Sequence, residues 1–202
     1  MIPWLRRAAR PVKVMAMDDA LRPAPDASYE AQLARPYLDQ AEQALASAMI
    51  GRPLRSRSAA AVRCGWGLPA VLRVDPRLDD GTPFPTTLWL ACPLAVRHVG
   101  RLEAEQMMVG MNHRLETEED FAEAYAGAHH RYRGFRERLG PPLPRASATA
   151  GGMPMRVKCL HALYAHHLAT LDNPVGEAVA EQVEPMSCPG PCVRLEPDEV
   201  GA

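Results

Sequence analysis

The chain has 202 residues, 47% of them hydrophobic and 23% charged, and a formal net charge of −1. That is enough to bury one core and too little for two full domains, and the near-neutral balance argues against a protein built to coat nucleic acid or an anionic membrane. No apolar run approaches the ~20 residues that a membrane-spanning helix needs.

Residues 1–28, with Pro3, Pro11, Pro23 and Pro25, read as a flexible arm. It is basic but lacks the apolar stretch of roughly 7–15 residues found in a secretory signal, so the expected compartment is the cytoplasm, where cysteines stay reduced. Residues 29–193 are expected to form a single domain and 194–202 a short tail. Residues 29–50 read as a helix capped by Ser28, with Leu38, Leu45 and Met49 near one face and Pro36 at a kink or second start. The apolar runs Ala59–Cys64 and Leu68–Val74, separated by Gly65-Trp-Gly67, predict a β-hairpin. Thr86–Cys92 is a third strand candidate, stopped by Pro93, which starts the next helix. That helix is expected over 94–114. Another is expected over 118–139, with Thr117 as N-cap and a buried stripe of Phe121, Tyr125, Ala128, Tyr132 and Phe135. A last helix is expected from Pro154 to Leu171, ended by Asn173-Pro174 and followed by an acidic, irregular remainder. Together these elements predict an α+β fold, a small antiparallel sheet of about three strands packed with three to four helices.

Signatures of phosphate loops, dinucleotide sites, zincins and serine hydrolases are missing from the sequence. Five cysteines remain. Cys64 and Cys92 end strands, Cys159 falls in the last helix, and Cys188 and Cys192 lie in a Pro-Gly segment with no other evident reason to be ordered. Thiolates from element ends can converge to hold zinc or an iron–sulfur cluster. On a regular helix Cys159 and His161 would point about 200° apart, so they share an ion only if the helix begins later. His166 shares a face with Cys159 but stands roughly 10 Å away along the axis, which favours a core histidine. The same region permits another chemistry. Gly151-Gly152-Met-Pro154 at a helix start, with Arg156 and Lys158 nearby, would form an anion site and activate Cys159 as a nucleophile, with His98, His113, His129, His130 or His167 as base.

Several strings occur together: Asp79-Asp-Gly-Thr-Pro-Phe-Pro-Thr86, Leu90-Ala-Cys-Pro93, Arg101-Leu-Glu-Ala104, Gly152-Met-Pro-Met-Arg-Val-Lys-Cys-Leu-His-Ala162, Asn173-Pro-Val-Gly176 and Gly190-Pro-Cys-Val193. Over roughly residues 38–193 the chain resembles the bacterial family named domain of unknown function 501. The resemblance implies a cytoplasmic protein, often encoded near a septum-formation initiator, and hence contact with cell-division proteins as one reading. It implies metal ligands at Cys64, Cys92, Cys159 and Cys192, holding zinc or an iron–sulfur cluster; the residues themselves, apart from the resemblance, suggest an anion-binding role for Arg156 and Lys158 and a supporting one for His161. Cys188 matches none of the family's positions and is read as incidental. The family usually carries aspartate where this chain has Met155.

Overall fold

Strands β1 (Ser58–Arg63) and β2 (Pro69–Val74) pair antiparallel across the Gly65–Gly67 turn, and β3 (Leu88–Leu90) pairs antiparallel with β2, giving the order β1-β2-β3. The register sets Ala60 opposite Leu72 and Val71 opposite Leu90. All six residues of β2 are buried because both sheet faces are covered. One face meets the main core, and Leu72 and Val74 on the other meet Leu38 and Ala46. The computed structural model describes residues 21–144 and 149–194. Among these residues the helices are α1 (Tyr29–Ala34), α2 (Gln40–Ile50), α3 (Pro93–Ala104), α4 (Met107–Thr117), α5 (Glu119–Leu139), α6 (Leu160–Thr170) and α7 (Pro174–Val183). The α+β class and the three-stranded sheet agree with expectation. Of the expected N-terminal arm, residues 1–20 lie outside the described residues, whereas Leu21 is buried and the Ala24 N–H donates to the Leu168 carbonyl (3.4 Å).

The helices outnumber those expected for identifiable local reasons. Ser28 caps α1 through the Ala31 N–H, and Asp39 opens α2 with a reciprocal capping box to Glu42, so the Pro36 region divides two helices. Gln106, at φ 66°, divides α3 from α4. Thr117 ends α4, its hydroxyl donating to the His113 carbonyl, and does not cap α5. The aromatic stripe of α5 is buried as its spacing predicts.

The segment before α6 departs furthest from expectation. Asn112 on α4 accepts from the Val157 N–H (2.9 Å) and donates to the Val157 carbonyl (3.0 Å), using both backbone groups that a helix would need. The Lys158 and Arg156 N–H groups turn back to the carbonyls of Gly151 (2.7 Å) and Gly152 (3.2 Å). The helix therefore begins only at Leu160, with Cys159 at its N-cap. Pro174 does not lead into irregular chain; it opens α7, with the Asn173 side chain accepting the Gly176 N–H (2.8 Å).

Ten of the eleven residues of α6 are buried, and the helix packs against β3, α7, α3 and α1. Among its buried polar groups, His166 has partners on both ring nitrogens. Tyr29 donates to Asp172 (2.8 Å), the His166 Nε2–H donates to the Tyr29 oxygen (2.6 Å), and Asn173 donates to His166 Nδ1 (3.0 Å). Arg131 closes the chain with two bonds to the Asp172 carboxylate, at 2.6 and 2.5 Å. Burial pushes the His166 pKa down to about 3. The native ring thus takes up its proton only well below the ordinary value of 6.5. Its contribution to stability is complete above pH 6.5 and is lost as pH falls from there toward 3. Unfolding midpoints should decline over that window, and His166 should remain neutral at about pH 5 in imidazole nitrogen spectra.

Gly176 is where α7 crosses α6. A Cβ there would lie 2.2 Å from the Leu163 carbonyl oxygen and 2.5 Å from His167 Cβ. Because backbone blocks one side, Gly176→Ala should cost about 3 kcal/mol in urea denaturation.

Candidate functional site

The structure distributes the cysteines between two places joined by α3. The first lies at the N-terminus of α6. Glu103, in the last turn of α3, accepts the Leu160 N–H (2.7 Å), supplying the helix cap that the Cys159 side chain does not provide. The same Oε1 lies 3.2 Å from His161 Nδ1, and His161 Nε2 lies 3.0 Å from the Val96 carbonyl, to which it must donate. Cys159 completes the group. Its sulfur, a His161 ring nitrogen and a Glu103 oxygen all lie within 4.8 Å of one another. The late start of α6 makes this possible, since Cys159 lies outside the regular helix that would turn it away from His161.

Cys159 and His161 line a pocket of about 500 Å³, a size suited to a small-molecule ligand. Its walls are largely apolar: Met49 and Ile50 from α2, Leu88 and Leu90 from β3, and Val96 from α3. Arg52 also lines it, its guanidinium 5.2 Å from the centre of the Trp89 ring. Arg156 and Lys158 are exposed beside the site, and neither is among the pocket's lining residues. Met155 is 84% exposed and also outside it. Glu103 is absent from the residues that the sequence nominates; its only signal is its place in the Arg101–Ala104 string.

The second place gathers the other thiols. Cys64, Cys92, Cys188 and Cys192 line one cavity of about 20 Å³, together with Leu68, Leu94 and Met186. Cys64 sits in the β1–β2 turn, and Cys92 is the N-cap of α3. The segment carrying the other two is held by the Trp66 indole N–H, which donates to the Cys188 carbonyl (3.1 Å). Burial raises the Cys92 pKa, the neighbouring backbone N–H groups of Leu94 and Ala95 lower it, and the nearby thiols of Cys64 and Cys192 raise it further. Thus Cys64, Cys92 and Cys192 of the expected ligand set come together with Cys188, while Cys159 stands in the other group.

The fold is an α+β domain in which Cys159 and His161, at the start of the central helix α6, line an apolar pocket beside Glu103 of α3. Residues 60–181 match the family described as Protein of unknown function (DUF501), and the chain belongs to that family. No curated protein and no solved structure matches it. Among the described residues, no helix is long and apolar enough to cross a membrane.

His161 gives the site a measurable signature. Its hydrogen bond with Cys159 raises its pKa, burial opposes this, and the Val96 carbonyl and Glu103 raise it further, to about 9. An imidazolium held this way stabilises the fold fully below the ordinary value of 6.5, and that contribution is lost as pH rises through 9. In protein stripped of divalent ions, an NMR titration should find His161 charged at neutral pH. Glu103→Gln should move its pKa downward.

Proposed function

We propose that this protein binds a divalent metal ion, with zinc as the first candidate, through Glu103, Cys159 and His161, and uses it on a small substrate with an apolar body. The observation that carries this reading is that three ligand-type side chains converge within 4.8 Å and that two of them line the pocket. The donor set suits zinc, which takes thiolate, imidazole and carboxylate ligands. The His161 orientation also fits. Its Nε2–H is committed to the Val96 carbonyl, leaving Nδ1 for the ion, the outer-sphere pattern that orients metal-binding histidines. Three protein ligands leave a fourth position open, as in catalytic rather than structural zinc sites. An ion there would polarise a substrate oxygen or lower the pKa of a bound water. The apolar walls would hold the substrate body, and Arg52 would meet an anionic group on it.

A second reading keeps Cys159 and dispenses with the ion. The raised pKa of His161 favours an imidazolium beside the sulfur, the arrangement that turns a thiol into a nucleophile. In that case, iodoacetamide would label Cys159 selectively and chelators would have no effect.

Cobalt substitution followed by absorption spectroscopy tests the metal reading. The protein should give thiolate-to-cobalt charge-transfer absorption that Cys159→Ser reduces by the share of one thiolate. His161→Ala should weaken metal affinity by at least about a hundredfold, more than loss of an outer-sphere partner does. Unchanged affinity in both variants would remove the metal from this site.

A further inference from the structure

The four remaining cysteines form a group of their own, far apart in sequence and drawn from three structural elements: the hairpin turn, the N-cap of α3 and the segment after α7. From their common cavity we infer a second, structural metal site, in which Cys64, Cys92, Cys188 and Cys192 bind one soft divalent ion of the zinc class and clip the C-terminal segment onto the domain.

Four observations support this site. The four thiols border one cavity of about 20 Å³. Such a volume is about that of one water-sized sphere, the scale of a single ion. Cys92 is the N-cap of α3, where the first-turn N–H groups and the helix dipole favour a thiolate. The Cys188-Pro-Gly-Pro-Cys192 segment has no helix or strand to hold it, yet the Trp66 indole and the buried Met186 side chain bring it to the cavity. Finally, the donor set is all sulfur, which selects soft ions, and four protein ligands close the coordination sphere, as in structural zinc sites.

No three of these sulfurs lie within 4.8 Å of one another, so binding draws them together. The Cys188 thiol now donates to the Gly190 carbonyl (2.9 Å). It would exchange that weak bond for the ion and lose its proton to solvent. Cys192 is exposed and can turn inward at little steric cost. Each neutral thiol that binds releases one proton, so four are released per ion.

The test is zinc stoichiometry in full-length protein after removal of loosely held metal. Cys159→Ser, which disables the other group, should retain one tightly bound zinc per chain. Cys188→Ser/Cys192→Ser, placed beyond α7, should lose that zinc while keeping the helical circular-dichroism signal. Zinc should also slow alkylation of the Cys188 and Cys192 thiols by at least about tenfold relative to chelator-treated protein. Retention of the zinc by the double variant would overturn the inference. So would a native Cys188–Cys192 disulfide, or an iron–sulfur chromophore in anaerobically purified protein. The share of cobalt charge transfer lost in Cys159→Ser bears only on the other site, and the share that remains only on this one, so the two proposals fail separately.

Discussion

Burial of α6 on nearly every side is the constraint from which the rest of the molecule follows. A buried helix cannot pass its end groups or its polar side chains to water, and each orphan costs free energy comparable to a lost hydrogen bond. Glu103 therefore reaches from α3 to the Leu160 N–H, and the Tyr29–His166–Asn173 chain satisfies the one imidazole buried completely. The close approach of α7 that completes the burial requires glycine at 176. The candidate site is a by-product of the same requirement. The carboxylate that caps α6 is also the one beside His161, so satisfying the helix assembles the group.

Helix α3 links the two sulfur sites. Its N-cap residue, Cys92, faces the four-thiol cavity, while Val96 and Glu103 further along it receive the two ring nitrogens of His161. Pro93 at its first position fixes where this helix starts. A shift of α3 along its axis would disturb both groups together. The 500 Å³ pocket lies between this helix, β3 and the end of α2, so its shape depends on the sheet as much as on Cys159 and His161.

The strings that carry the family resemblance acquire physical roles. Gly151 and Gly152 adopt positive φ, and a Cβ on Gly152 would fall 2.3 Å from the Arg156 carbonyl oxygen. The Gly-Met-Pro segment can thus fold back on itself, bury Met153 and deliver Cys159 to the end of α6. Met155, in the same segment, is exposed and lines neither cavity.

Much of the fold was legible in the sequence because its signals are local. Two short apolar runs around Gly65-Trp-Gly67 specify the hairpin, the Phe121–Phe135 spacing specifies the buried face of α5, and Pro93 after Cys92 marks a strand end and a helix start. Cys64, Cys92 and Cys192, expected with Cys159 as one ligand set, line one cavity with Cys188 instead, and no three of their sulfurs lie within 4.8 Å of one another. Which cysteines meet was settled by contacts remote in the chain. Asn112 occupies the backbone of Val157 from 45 positions away, delaying α6 and placing Cys159 beside His161. Trp66 holds Cys188 from 122 positions away, bringing into the cavity a thiol that no local pattern distinguishes. Sequence periodicity reports which face of an element is apolar, but a side chain's partner depends on how elements pack, and that information exists only in the folded chain.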